Sequence, residues 1–536
     1  MRKDYSLLIV IALVLALLFT PIGAPIASLV ADIVEDFPEK LKELTDHSNN
    51  EPEEEEKLEN NDTGSAEEPE EDENDGTEEV DPEEPDTDDV PADSEEEAPE
   101  EENPEEEIPA DPAPQYEYSY YTGIDAAITD AVGAELGANA DATEDLAAVK
   151  AYRDENGDFI VVLLSDISLA DTLSVAGDVV VDLNGKKITS TGVSALSVTG
   201  GNVKLVATES GSGIIVSEGD GVSAISQSGG ILSILGGEYA VENATGGISL
   251  KTTGGSLDVY GANVRVSGTG TSYGIAVQDG AVLSADSITV SAKGTATTYG
   301  VYAKGTVAIN SSDIQALSDG AKSRALYLAA SAVGTVSDSS MKGLCTLYQA
   351  TGTSSSQGVS NSGSLTLNNC YAWGSHVGIS NAGALVVNGG IYESPGHGGI
   401  YFGNISAPAY VADATLRYCA PPENSDASAD YNNCGFYIGG GSDRNNVVVY
   451  MDNCEIYGDS WAFTLRGSSG EQNNTLYISN STISGNGYVR LDNRTHTLYI
   501  GAGNNFEAGG VKDVNGNVMA DYVISTDEIY RYNEGV

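Results

Sequence analysis

The chain has 536 residues, with 82 acidic against 24 basic side chains and a formal net charge of -58 at pH 7. A balance this negative argues against nucleic acid or an anionic membrane surface as a partner. Length alone suggests several domains, but composition divides the chain differently.

Residues 1–31 carry Arg2 and Lys3 and then an uncharged apolar run from Tyr5 to Ala31 that includes SLLIVIALVLALLF. This reads as an export signal. The run is also long enough to cross a bilayer core of about 30 Å. A cleaved signal peptide and an uncleaved signal anchor, with N-terminal membrane association, therefore both stay open. Residues 32–114 are acidic and punctuated by proline, as in EPEEEEKLENNDTG and VDPEEPDTDDVPADSEEEAPEEENPEEE, and hold about half of the acidic residues. Such a stretch cannot bury a core. The expectation is a disordered stalk, stiffened by self-repulsion and proline. A solubilising leader with no spacing role is the alternative.

Residues 115–176 form the lead-in. After the tyrosine-rich QYEYSYYT, the stretch Asp141–Tyr152 (DATEDLAAVKAY) reads as a short helix with Asp141 at the cap and Glu144 three places on. An apolar strand is predicted from Phe159 to Leu164. The helix would cap the open end of a repeat region that begins near residue 177.

From 177 to 508 one short phrase keeps returning: GVSAL at Gly192, GIAV at Gly274, GVYA at Gly300, ALYL at Ala325, GISN at Gly378, GIYF at Gly399, GFYI at Gly435 and AFTL at Ala462. Twelve such phrases occur, most of them 25 to 29 residues apart, as with the 26 between Gly274 and Gly300. A fixed period on this scale marks a repeat architecture. Within each unit, apolar residues alternate with small or polar ones, and no helix-length apolar stripe appears. A second phrase half a unit later places Ile288, Ile314, Ile391 and Ile456 in one inward row. It also places Asn369, Asn388, Asn453 and Asn480 in one corner column, where asparagine tolerates the left-handed conformation and can bond to its equivalent one coil away. The fold expected is an all-β parallel β-helix solenoid of about twelve coils, stacked about 4.8 Å apart. A β-sandwich array is the weaker alternative. Residues 509–536 read as a closing strand and tail.

All five cysteines follow residue 344. Cys370 and Cys454 fall in the small-residue column beside the corner, as core residues. Cys419 and Cys434 bracket the insertion APPENSDASADYNN, so a disulfide between them is a candidate in an exported protein. No Cys/His spacing suits a metal, and no cofactor is implied.

The order of a short helix, VVLLSDISLADTLSV, VVVDLNGKKIT and Gly-led coils resembles the pectate-lyase-like β-helix domains of bacterial surface proteins, many of them adhesive. The resemblance covers Tyr116 to the C-terminus and is most specific from Asp166 to Thr189. It implies a right-handed β-helix at the cell surface or outside the cell, and little about chemistry.

His376 and His397 each stand two places before a coil-opening glycine and should stack in neighbouring coils. They are the candidates for catalysis by a polysaccharide-acting lyase or glycoside hydrolase. GHGGIYFGN also resembles the Gly-His-Gly of polygalacturonases, but the clustered Asp residues and Arg-x-Lys of that family are not recognisable. The more informative signal is aromatic. Trp373, Tyr392 and Tyr457, with Arg417 between them, are predicted to share one outward position, and Tyr401 and Tyr437 to face outward on the first strand. Aromatic faces with polar tips at coil spacing suit a pyranose ring or a protein partner. The same tyrosines would also be at home as ordinary outward strand residues. The reading is a non-catalytic, exported adhesin or glycan- or protein-binding module, with the enzyme as the competing class.

Overall fold

The computed structural model describes residues 116–207, 213–319, 322–345, 356–403, 405, 407–419, 434–439, 447–459, 461–466, 474–485, 489–492, 496–506, 511–512 and 528–532. All belong to one compact unit spanning 108–536. The export segment, the acidic stalk, the loop between Cys419 and Cys434, and most of the C-terminal segment lie outside these residues. Among the described residues no helix is long and apolar enough to cross a membrane.

The unit is an all-β parallel solenoid of about eleven turns. Three strands per turn generate three faces. Face 1 is a sheet of fourteen strands, from Leu173–Val175 through Thr298–Ala303 to Val511–Lys512. Face 2 includes Ser256–Tyr260, Val282–Asp286 and Asn474–Ser479, and face 3 includes Asn263–Thr269, Asp313–Ser318 and Glu455–Gly458. Strands Ser364–Gly374, Ala384–Ser394 and Ala409–Tyr418 run through the corner between faces 2 and 3 and join them.

The helix lies earlier than the sequence suggests. It is Ile124–Val132, and Asp141–Tyr152 instead holds a 3-10 turn at Glu144–Leu146 and the start of strand Val149–Arg153. Asp141 is occupied elsewhere, accepting from the backbone N–H and hydroxyl of Thr122 at 2.8 and 2.6 Å. The helix buries Ile124, Ala127, Ile128 and Ala131 in the same core as the first rungs. Strand Phe159–Leu163 pairs in parallel with Val179–Asp182 and antiparallel with Val149–Arg153.

The core is one continuous cluster from Tyr121 to Ile500, built by alternation of side chains in and out that is interrupted at one position on face 1 and at the corner between faces 2 and 3. Each buried Val, Leu or Ile contributes about 1.5–3 kcal/mol. Two columns of special residues set its register. One is a small residue, from Gly274 onward the one that opens each phrase: Ala224, Ser249, Gly274, Gly300, Ala325, Gly358, Gly378, Gly399, Gly435 and Ala462. It stands between the paired positions of face 1, so that Ser272 and Tyr273 pair with Thr298 and Tyr299, and Ile275 with Val301. A Cβ on Gly300 would meet Ala325 O and Ile314 Cγ2, each at 2.5 Å. In the first three coils the repeated glycine is not this residue. Gly192, Gly221 and Gly247 precede it, and the column passes through Ala195, Ala224 and Ser249. Consequently Ser223 and Ser249 are buried, and Ser249 donates to Tyr239 O at 2.6 Å.

The second column is the left-handed corner between faces 2 and 3. Ser287, Ser311, Asp338, Asn369, Gly389, Asp413, Asn453 and Asn480 have φ between 47° and 76° there. Asn369 Nδ2 donates to Asp338 Oδ1 at 2.8 Å and Asn453 Nδ2 to Asp413 Oδ1 at 2.6 Å, one coil away. Asn388 is not a member: Gly389 takes the corner, and Asn388 sits one place before it, bonded to Asn368 at 2.9 Å. A slip of one residue exchanges the two faces of a strand. The predicted row therefore fails at two of its four members. Ile391 is outward and 38% exposed, whereas Tyr392 is fully buried and in register with Leu416 and Ile456. Ile288 is buried but lies in the preceding inward row, and Val290 is the residue that pairs with Ile314.

Gly300→Val, which overpacks the small-residue column, should cost about 1–3 kcal/mol. Ser284→Val, on the exposed side of face 2, should stay within about 0.5 kcal/mol. Chemical denaturation of the two variants checks this pair.

Candidate functional site

Once the register is corrected, the C-terminal half of face 3 presents an outward column that runs Lys342, Trp373, Glu393, Arg417, Tyr457 and Ser484. Beside it, two residues earlier on each strand, runs Ser340, Tyr371, Ile391, Thr415, Glu455 and Thr482. Trp373, Arg417 and Tyr457 thus occupy one column, as predicted. Tyr392 does not: its ring is in the core and its hydroxyl donates to Gly389 O at 3.0 Å. The residue in its expected place is Glu393, which sequence reasoning missed. Its signal is its position next to Tyr392 in NGGIYES, legible only if the second residue of Asn-Gly-Gly is given the corner.

Glu393 is the hub of this face. Its carboxylate accepts from the Tyr371 hydroxyl at 2.7 Å and from Arg417 Nε at 2.5 Å, and its side chain is almost wholly covered while the guanidinium is half-exposed. Charge-assisted bonds of this kind are short and directional, so they hold Arg417 over the column rather than loose in solvent. Burial, then the bond to Glu393, holds the Tyr371 phenol well above its ordinary range, so it remains a donor. Burial likewise pushes the Cys419 thiol, next to Trp373 and Glu393, up to about 11. It is not a ready nucleophile at neutral pH. Between the columns lies an open groove of about 680 Å³ lined by Glu393, Thr415, Arg417, Glu455, Tyr457 and Ser484 among others. Tyr457 is 45% exposed, and the Thr415 hydroxyl donates to Glu455 Oε2 at 3.3 Å.

The two histidines do stack. Their rings are 4.3 Å apart and edge-on at 71°, and the His397 backbone N–H donates to His376 O at 2.6 Å. The stack continues through Tyr437, 5.7 Å from His397, to Tyr401, 5.2 Å further on. Tyr401 and Tyr437 point out from face 1 as expected, but their faces cover each other and Tyr437 is buried. They form a packed ladder, not an open platform. Among the described residues no group of three His, Cys, Asp or Glu side chains could hold a metal. Cys419 and Cys434 are not joined to each other: Cys434 Sγ lies 3.7 Å from His397 O, whereas Cys419 is beside Trp373. A second ladder, also missed, stands on face 2, where Tyr410, Tyr450, Tyr477 and Tyr499 stack within 5.0 Å of one another in sequence.

Comparison of the chain with protein-family models, curated proteins and solved structures gives no match.

Two outcomes are expected. Tyr392→Ala should cost about 3–5 kcal/mol, as the loss of a large buried ring does, whereas Tyr457→Ala should leave the melting temperature nearly unchanged. Burial lowers the His376 pKa below 6.5. The unfolded chain then takes up the proton first, so stability falls as pH drops through about 6.5. Denaturant midpoints between pH 7 and 5.5 should therefore decline less steeply in His376→Asn than in the parent.

Proposed function

We propose that the chain is an exported, non-catalytic β-helix protein of a bacterial surface that binds a glycan through the face 3 groove. The observation that carries this is the groove itself. Tyr457, the fixed Glu393–Arg417 pair, the hydroxyls of Thr415 and Ser484 and the Glu455 carboxylate line it, and Trp373 stands at its rim, one coil beyond Glu393 in the same outward column. Ring faces for a pyranose, with a few oriented donors and acceptors between them, are what sugar sites are made of. The likeness of Asp166–Thr189 to adhesive surface domains supports the setting, and the apolar run at 5–31 supports export. The acidic segment then acts as a spacer. A protein ligand would use the same anchors, since Trp, Tyr and Arg dominate protein interfaces too.

The competing enzyme reading rests on His376 and His397, whose rings are packed on each other and on Tyr437 rather than set across an open cleft. A histidine-dependent release of product from pectin or alginate, abolished by His376→Ala with His397→Ala, would overturn the non-catalytic reading.

A glycan array probed with the full chain should give a signal that falls at least about tenfold in Trp373→Ala with Tyr457→Ala, at unchanged melting temperature. An undiminished signal would remove the face 3 groove from consideration. Mass determination of the mature N-terminus checks export, with a chain beginning near residue 31 expected for a cleaved signal.

A further inference from the structure

Face 1 differs from the rest of the solenoid in charge. In a chain with 82 acidic residues, its fourteen described strands hold a single one, Asp492, against Lys251, Arg324, Arg466, Arg490 and Lys512. The strands of faces 2 and 3 carry many more, among them Glu218, Glu238, Asp258, Asp313 and Glu455.

In the middle of this acid-poor sheet four tyrosines form one cluster. Tyr273 and Tyr299 are stacked at 5.0 Å, and Tyr302 and Tyr327 at 5.2 Å, and the two pairs meet edge to face at 5.3 to 5.5 Å. All four are partly exposed. The Arg324 guanidinium lies 5.1 Å above Tyr327 and 5.7 Å above Tyr299, and Lys304 Nζ is 5.9 Å from the centre of Tyr302. Arg324 also donates to Tyr299 Oη at 3.1 Å and to Gln357 Oε1 at 3.2 Å, which fixes its plane. Burial raises the pKa of Tyr273 and Tyr299, so those phenols stay protonated donors.

We propose that this cluster is a second binding site, distinct from the face 3 groove, for a sulfated glycan. The reasoning is chemical. The outward groups offer phenol O–H, guanidinium and ammonium donors, and the amide acceptor beside them, Gln357, is already used by Arg324. A ligand with its own charged donors has little to bond. An anion does, and the three terminal oxygens of a sulfate ester suit several divergent donors better than the two coplanar oxygens of a carboxylate. A guanidinium is weakly hydrated and stacks on aromatic rings, so it gives up little on meeting such an ester. The successive rungs set the tyrosines at the coil spacing of about 4.8 Å, a row along which a polymer can lie. The overall negative charge acts against any polyanion at low salt. At about 150 mM salt the Debye length is about 8 Å, and the local cations decide.

The test uses the full chain at about 150 mM salt with dextran sulfate as probe, and uncharged dextran, polygalacturonate and poly-glutamate of similar length as comparators. Dextran sulfate should bind, and dextran should not. Arg324→Gln should weaken binding at least about tenfold and Lys304→Gln about threefold, while Trp373→Ala leaves it unchanged. Absence of dextran sulfate binding would overturn the proposal, as would equal affinity for polygalacturonate, or for poly-glutamate, which would mark an acidic-peptide site instead. If Arg324→Gln fails to fold, Lys304→Gln decides, and an affinity equal to the parent's would count against the site. Loss of the face 3 groove in the glycan array leaves this outcome untouched.

Discussion

The structure depends on like residues lying on like residues. In a parallel solenoid each side chain sits one strand spacing above its equivalent in the preceding turn, so a position is defined by its column rather than by its neighbours in sequence. Two columns are unforgiving. The small residue that interrupts face 1 faces a backbone carbonyl from the next turn, as Gly300 faces Ala325 O. The corner between faces 2 and 3 demands a left-handed residue, supplied by Ser, Asp, Asn or Gly and tied by side-chain bonds such as Asn369 to Asp338. Everything else can vary as long as the alternation holds.

With the interior filled, specificity can reside only on the outside, and there the columns again decide what meets what. Arg417 sits directly above Glu393 because one coil separates them in the same outward column. Tyr410, Tyr450, Tyr477 and Tyr499 stack for the same reason. A ladder of identical aromatic residues thus arises from register alone. Open ring surface is a different matter: Tyr401 and Tyr437 cover each other, whereas Tyr457, with Arg417 and Ser484 as its column neighbours, keeps much of its side chain exposed.

The solenoid was legible because the period is written in the small-residue phrase and in the alternation around it. On face 1, register was legible wherever the phrase begins with the residue that occupies the interrupting position, from Gly274 onward; on face 3 of that same coil it was not, since Val290 rather than Ile288 pairs with Ile314. It was not legible in the first coils, where Gly192, Gly221 and Gly247 imitate that residue two or three places too early. At Asn388-Gly389-Gly390 either of the first two residues can adopt the corner conformation, and local sequence does not choose between them. The choice reverses Ile391 and Tyr392 and conceals Glu393. Similarly, DATEDLAAVKAY carries a capping pattern that a helix would use, but Val149 and Ala151 are claimed by strand pairing with Leu163 and Val161. Tertiary pairing outweighs a local propensity of this size. The histidine stack was legible from a spacing of one coil, and its immersion in tyrosines was not.

At both described ends of face 2 the parallel stack meets a reversed strand, and at the N-terminal end the three-residue strand Ser119–Tyr121 pairs antiparallel beyond it. Val149–Arg153 runs against Phe159–Leu163, and Glu528–Tyr532 runs against His496–Ile500. At the C-terminal described end a strand arriving in the solenoid's own direction finds its hydrogen-bonding row already taken by one of opposite polarity, and at the N-terminal end the edge is left to a strand of only three residues. A reversed strand at one end and a very short one at the other both blunt the edge on this face against end-to-end growth, the hazard that a long run of regular, stacked β-structure otherwise carries.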